Sequence, residues 1–156
     1  MSSLTPWSVA APVDMGPRRL TSRCIESRWQ PTPPIILVVD DFPMVLEVYV
    51  EALARAGYDV DGVGEGRTAI QVLRTRRYDV IVCDYRMEGV TGLDVLEAAR
   101  RHARGTPVIL LSAMATDAVV AQAYARGAFG VLAKPLSIPD LLRVVSEALD
   151  AVRGVA

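Results

Sequence analysis

The sequence predicts an α/β protein built on one doubly wound parallel sheet of five strands, with helices on both faces. Two observations support this prediction. After residue 34, short apolar runs of strand length alternate five times with segments of helix length. Most of these runs are apolar throughout, which is typical of parallel strands covered on both faces. Right-handed crossovers between such strands place helices on either side of the sheet.

The first three strands are predicted at 35–40, 58–63 and 78–84. The first and third are apolar runs that end in acids, and the second alternates in strand fashion before a turn at Gly64 and Gly66. A helix is predicted from Pro43 to Ala56, because helix formers fill this stretch and Gly57 follows it. A shorter helix at 65–75 is predicted to turn Ile70 and Leu73 inward.

The second half of the domain continues the alternation. A loop through Gly89 and Gly92 leads to a predicted helix at 93–104. Apolar strands are predicted at 107–112 and 128–133, with a helix at 116–126 between them. The last helix opens at Pro139, a favoured first position, and carries apolar residues at helical spacing: Leu141, Leu142, Val145, Leu149 and Val152.

Residues 1–34 are predicted to form a disordered leader, and residues 35–156 the folded domain. The leader holds six of the ten prolines and both tryptophans, and it shows no apolar periodicity. It lacks the apolar stretch of a secretory signal, and no run in the chain approaches a membrane span.

Charge and cysteine content narrow the function classes. The formal net charge of -1 gives no reason to expect binding to nucleic acid or to an anionic membrane. Cys24 and Cys83 are too few for a disulfide framework, so we expect reduced thiols and a cytoplasmic location.

Reactive side chains follow four of the five predicted strands. Because the carboxyl ends of parallel strands line the ligand crevice, these side chains should meet at one edge of the sheet. Three ionised carboxylates need a cation between them, and oxygen ligands select Mg²⁺ or, as a second choice, Mn²⁺. The residues are Asp40 and Asp41 after the first strand, Asp84 after the third, Ser112 after the fourth and Lys134 after the fifth.

Lys134 is the one lysine among 17 basic side chains. Lysine places a compact point charge on a flexible stem at this position, whereas arginine would place a planar, rigid guanidinium there. The set suits phosphoryl transfer onto Asp84, with the metal and Lys134 neutralising the phosphoryl oxygens and Ser112 donating a hydrogen bond to one of them.

From Ile35 to about Arg153 the chain resembles a receiver domain of bacterial two-component response regulators. The resemblance rests on the following residues: Val38-Val39-Asp40-Asp41, Asp84 with Met87 and Gly92 after it, Ser112-Ala113, Gly127-Ala128 and Lys134-Pro135.

The resemblance implies a flavodoxin-like (CheY-like) fold with strand order 2-1-3-4-5. It also implies Asp84 as phosphoacceptor, Asp40, Asp41, Asp84 and the Arg86 carbonyl at the metal, and a cis bond before Pro135. Ser112 would be the switch hydroxyl, and Lys134 would contact the phosphoryl group.

The partners implied are a sensor histidine kinase or a histidine phosphotransfer protein, and a downstream target on the face of the fourth helix, fifth strand and fifth helix. We expect a stand-alone receiver, a monomer or weak dimer, without nucleic-acid or membrane binding. It would catalyse only its own phosphorylation and dephosphorylation.

The chain departs from the family pattern at several positions. Glu88 stands where proline is usual after the Met87 position. Val131 stands where an aromatic side chain usually reports phosphorylation, with Phe129 two residues earlier. Arg86 and Met114 occupy two variable positions that influence phosphate lifetime in this family.

Three alternatives stay open at this stage. Val131 would suit a degenerate receiver that acts as a phosphorylation-independent interaction module. An aspartate-nucleophile phosphatase would need a second acid where Arg86 stands. A flavodoxin-like nucleotide binder would need a glycine- and hydroxyl-rich loop in place of Asp40-Asp41-Phe42-Pro43.

Two basic clusters are not explained by this chemistry. Arg74, Arg76 and Arg77 follow the second helix, and a second cluster with the single histidine, His102, lies at 100–104. We interpret both as solvated helix ends, with docking to a partner as the alternative for the first.

Overall fold

The computed structural model describes residues 32–154. Strands and helices alternate strictly along this range. The strands are β1 (Ile35–Val39), β2 (Asp59–Val63), β3 (Val80–Asp84), β4 (Val108–Ser112) and β5 (Gly130–Ala133). The helices are α1 (Pro43–Arg55), α2 (Gly66–Leu73), α3 (Gly92–His102), α4 (Asp117–Ala125) and α5 (Ile138–Val152).

The five strands form one parallel sheet in the order β2-β1-β3-β4-β5. The predicted fold class and strand order are therefore confirmed. The sheet is doubly wound because the chain moves outward from β1 in one direction to β2 and in the other direction to β3, β4 and β5. Such a reversal of direction opens a crevice at the carboxyl ends of the strands on either side of it.

Two separate hydrophobic clusters cover the two faces of the sheet. Alternate residues of each central strand point to opposite faces, so Ile36 and Val38 belong to one cluster and Leu37 and Val39 to the other. The cluster with Ile36 contains the buried side chains of α1 and α5. The cluster with Leu37 contains those of α2, α3 and α4. The central strands are apolar throughout because both of their faces are buried.

The predicted bounds differ from the observed ones by one or two residues at most ends. The larger correction concerns α5. Val152 was predicted to lie on the apolar face of this helix, but it is 50% exposed, whereas Val144 is buried in the core. Ala148 instead completes the buried face of α5. The helix is longer than the strands it covers, so its last turn extends past the core.

The prediction of a disordered leader, with Cys24, falls on residues almost wholly outside the described range. Within 32–154, no helix combines the length and apolar character needed to cross a membrane. Cys83 is buried in β3 with a free thiol.

Gly92, the first residue of α3, lies against the end of β3. Its backbone N–H donates to the Tyr85 carbonyl at 2.7 Å. A Cβ at this position would lie 2.6 Å from the Asp84 carbonyl oxygen and 2.8 Å from the Tyr85 Cα. Both atoms are backbone, so neither can rotate away. Glycine is therefore required where α3 starts beside the end of β3.

We expect Gly92→Ala to lower the free energy of unfolding by about 1–3 kcal/mol, because the added methyl group overpacks against rigid backbone. The measurement is urea unfolding followed by circular dichroism. Gly130→Ala is the control, since a Cβ there meets no atom within 4 Å. Equal unfolding midpoints for the two variants would contradict this account of Gly92.

Candidate functional site

The register of the sheet brings the predicted site residues to one edge. Val39 is level with Cys83, so Asp40 and Asp84 follow at the same height on neighbouring strands. Ser112 is level with Ala133, so Lys134 follows one residue beyond it. Placement at the carboxyl edge is thus a direct result of strand pairing.

Lys134 joins two of the acids. Its Nζ donates to Asp40 Oδ2 at 2.8 Å and lies 3.3 Å from Asp84 Oδ1. The Lys134 side chain is 18% exposed, while those of Asp40 and Asp84 are 2% and 11% exposed. Three charges removed this far from water are stable together only because opposite charges are in contact. The Lys134–Pro135 peptide bond is cis, as the resemblance implied.

Backbone N–H groups orient the acids that follow β1. The Phe42 N–H donates to Asp40 Oδ1 at 2.9 Å, which leaves Oδ2 free to accept from Lys134. Asp41 is exposed and accepts a longer bond of 3.4 Å from the Glu88 N–H. Glu88 stands where proline is usual in the family, and proline has no backbone N–H that could donate this bond to Asp41.

The three carboxylates can converge on one ion. One oxygen from each of Asp40, Asp41 and Asp84 lies within 4.8 Å of the others. A set made wholly of oxygen donors, and open on its exposed Asp41 side, fits a hard divalent cation that retains some of its waters. The prediction that the Arg86 carbonyl joins the ligands stays a prediction, and the residue itself is exposed.

Ser112 is 4% exposed at the end of β4. Its hydroxyl oxygen accepts from the Met114 N–H at 3.1 Å. Its carbonyl accepts from the Lys134 N–H at 2.9 Å. Ser112 thus lies at the same sheet edge as Asp84, and its backbone is tied directly to the residue that carries the ammonium.

Burial and neighbouring charges shift the pKa values of the paired groups. Burial raises the pKa of the Asp84 carboxyl; the Lys134 charge opposes this and the Asp40 charge adds to it, and the result is a raised pKa. Burial alone would lower the pKa of Lys134, but the hydrogen bond and charge of Asp40, followed by Asp84, raise it overall. Lys134 is therefore held in its charged form, whereas the Asp84 charge is not fully compensated.

Tyr49 is a residue beside the site that the sequence analysis did not identify. It is 6% exposed on α1. Burial raises the pKa of its hydroxyl, the Lys134 charge lowers it, and the charges of Asp40 and Asp84 raise it. Its spacing from Val45 and Leu53 marks it as inward-facing. That spacing could have placed the ring in the core but not beside the ammonium.

The side chains at the departures from the family pattern differ in how deeply they are buried. Val131 is half-buried and packs against the cluster of α2, α3 and α4. Phe129 and Met114 are 37% and 64% exposed. Valine at 131 thus fills a packed position, and the nearest aromatic ring in sequence faces solvent.

We expect Asp84→Asn to raise the free energy of unfolding at pH 7 in the absence of divalent metal. A carboxyl with a raised pKa in the folded state is ionised less favourably there than in the unfolded chain, so its charge destabilises the fold. The gain should disappear as the pH falls below the unfolded pKa of about 3.8. Urea titrations at several pH values in EDTA measure it.

The exposed Asp150→Asn is the control and should leave the unfolding free energy unchanged. An Asp84→Asn variant less stable than the wild type at pH 7 would show that the Lys134 pair outweighs the burial of Asp84, against the present interpretation.

Comparisons with known proteins agree with this geometry. The family model of the response regulator receiver domain matches residues 36–146. The chain is 36% identical over 128 residues to the "Probable transcriptional regulatory protein NarL" of Mycobacterium tuberculosis, and this match covers 80% of the chain and 57% of the relative. The chain thus spans little more than half the length of that relative.

Solved structures give the same result. The receiver domain of the Francisella response regulator 1452 is 30% identical, with a TM-score of 0.71, and the match covers 76% of this chain and 98% of that one. The chemotaxis response regulator CheY4 of Vibrio cholerae is 30% identical with a TM-score of 0.71, covering 76% and 100%. The chain therefore belongs to the response regulator receiver domain family of two-component systems.

Proposed function

We propose that this receiver domain accepts a phosphoryl group on Asp84. The observation that supports the proposal is the contact of one ammonium, Lys134, with both Asp40 and Asp84 beside a third carboxylate, Asp41. Four charged groups assembled at a strand edge are costly to a fold. Such a set is typical of a site where charge develops during a reaction.

In the proposed step, an Asp84 oxygen attacks the phosphorus of a phosphohistidine in line with the bond to the histidine nitrogen. The O–P bond forms as the N–P bond breaks, and the histidine nitrogen keeps the electron pair and takes a proton from solvent. The product is an aspartyl phosphate. Its three phosphoryl oxygens carry the charge that the rest of the site must offset.

Lys134 and Ser112 have separate roles in this proposal. Lys134 Nζ lies 3.3 Å from Asp84 Oδ1. After phosphorylation it would contact a phosphoryl oxygen, which carries the added negative charge. The Ser112 hydroxyl would donate to another phosphoryl oxygen, and the bond it now accepts from the Met114 N–H would change. Phosphorylation would thereby move the start of the loop between β4 and α4.

Asp40, Asp41 and Asp84, together with the Arg86 carbonyl, would hold Mg²⁺ or, as a second choice, Mn²⁺. When bound, the ion supplies positive charge against the carboxylates and phosphoryl oxygens. The chain's part is to present oxygen donors already close together, which lowers the ordering cost of binding.

The proposed donor is a sensor histidine kinase or a histidine phosphotransfer protein, and the proposed target binds on α4, β5 and α5. We further propose that the domain catalyses only its own phosphorylation and dephosphorylation, acts as a monomer or weak dimer in the cytoplasm, and binds neither nucleic acid nor membrane.

The deciding experiment is intact-mass spectrometry after incubation with acetyl phosphate and Mg²⁺. We expect the wild type to gain the mass of one phosphoryl group, and neither Asp84→Asn nor a wild-type sample in EDTA to gain it. Asp79→Asn is the matched control, because Asp79 precedes the same strand at the opposite edge of the sheet and should leave the adduct intact.

An adduct on Asp84→Asn equal to that of the wild type would assign the acceptor elsewhere. An unmodified wild type would instead support a degenerate receiver that works through contacts alone, the alternative that Val131 favours.

Mg²⁺ should also stabilise the folded chain. A Mg²⁺ concentration ten times its dissociation constant raises the free energy of unfolding by about 1.4 kcal/mol when the ion binds only the folded state. We expect this rise in thermal unfolding of the wild type and of the exposed control Asp150→Asn, and its loss in Asp41→Asn. A rise of equal size in Asp41→Asn would place the ion away from the acidic cluster.

A further inference from the structure

A second concave site lies at the opposite edge of the sheet. It is a cavity of about 730 Å³ between the ends of α2 and α3 and the residues that precede β3 and β4. The acidic site lies at the carboxyl end of β3, and this cavity begins at the amino end of that strand. A five-residue strand separates the two by about 17 Å.

Arginine dominates the wall of this cavity. Five arginines and one histidine line it, against a single acid, Asp79. The arginines come from the two clusters that the chemistry of the acidic edge does not explain. They are Arg74, Arg76, Arg77, Arg101 and Arg104. These are five of the 17 basic side chains of a chain whose net charge is -1.

Only one of these arginines has its charge satisfied by the rest of the domain. Arg76 pairs with Asp61 at 2.7 Å and with Asp59 at 3.2 Å. Asp79 is occupied by accepting from the Ile35 N–H at 2.7 Å. Among residues 32–154, the other four arginines of the cavity form no ion pair.

The wall that carries the first cluster is held by hydrogen bonds around the buried Tyr78. Tyr78 is 5% exposed, and its hydroxyl donates to Asp61 at 2.7 Å. The Arg76 guanidinium carbon lies 5.7 Å from the centre of the Tyr78 ring. Thr106 donates to the Tyr78 carbonyl at 3.0 Å, which ties the α2 side to the α3 side. The floor of the cavity around Tyr78 and Thr106 is therefore fixed, and the exposed arginine side chains stand around it.

Helix ends account for only part of this charge. α2 and α3 both end at the cavity, and each carboxyl end carries a partial charge of about -0.5 that favours nearby cations. Two helix ends thus balance roughly one positive charge. Four exposed guanidinium groups without an ion pair within 32–154 exceed that, so the cavity keeps an excess of positive charge that an anion would balance.

We propose that this cavity binds a small organic polyphosphate of nucleotide size. Guanidinium groups bind phosphate oxygens through paired hydrogen bonds, and the volume lies within the usual range of about 300–1,000 Å³ for small-molecule sites. Leu73, Ala103 and Val152 give the cavity an apolar side that suits a base or sugar. The residues that line the cavity are separate from those of the acidic cluster.

The test is isothermal titration calorimetry of the full chain in EDTA, which keeps metal from recruiting phosphates to the acidic cluster. The probes are ATP, inorganic triphosphate and adenosine. We expect ATP to bind, triphosphate to bind more weakly, and adenosine not to bind. Arg77→Ala and Arg104→Ala should each weaken ATP binding about tenfold or more, because each removes a charged hydrogen-bonding group.

Arg67→Ala is the matched control, because Arg67 is exposed near the start of α2, forms no ion pair within 32–154 and lies outside the cavity. It should bind ATP as the wild type does. Absent ATP binding, equal losses in all three variants, or adenosine binding as tight as that of ATP would overturn the proposal. Triphosphate binding as tight as ATP, or a DNA duplex that displaces ATP from the same arginines, would likewise overturn it.

Discussion

The contact of Lys134 with Asp40 and Asp84 is the interaction on which the carboxyl edge of the sheet depends. The two carboxylates follow neighbouring strands, and β4 lies between the strand that carries Asp84 and the strand that carries Lys134. The ammonium must therefore reach across the end of β4 to touch Asp84. A long, flexible stem with a compact charge meets that requirement, and Ser112 occupies the strand end in between.

The carboxyl edge of the sheet carries negative charge that Lys134 does not fully balance. Burial leaves the Asp84 charge incompletely balanced even though Lys134 is in contact with it. A cation bound beside these carboxylates would offset part of that unbalanced charge. Under the proposed function, the Asp84 charge that lowers the stability of the fold is also the group that reacts.

The sequence predicts the fold and the acidic edge well because both depend on local signals. Strand length, apolar character and the residue after each strand can be read directly, and parallel pairing then brings Asp40, Asp84 and Lys134 together. The exposure of Val152 was not predicted, because helical spacing gives the face of α5 and not the point along the helix where the core ends.

The arginine cavity could not have been predicted in the same way. Its two clusters are separated by a strand and a helix in sequence, and each alone has the composition of an ordinary helix end. They meet only because α2 and α3 pack side by side with their ends at the same edge. Nor did the sequence show that the Lys134 charge acts on Tyr49, since periodicity gives the face of a helix and not the residues opposite it.

The single lysine of the chain lies at the carboxyl edge and can report on that edge in solution. Because the chain contains one lysine, labelling lysine with nitrogen-15 gives one labelled side-chain nitrogen in the molecule. That nitrogen is in contact with the Asp40 and Asp84 carboxylates. The nuclear magnetic resonance signal of that nitrogen needs no assignment among lysines. Its chemical shift would follow the state of the carboxyl edge directly in solution, without any engineered label.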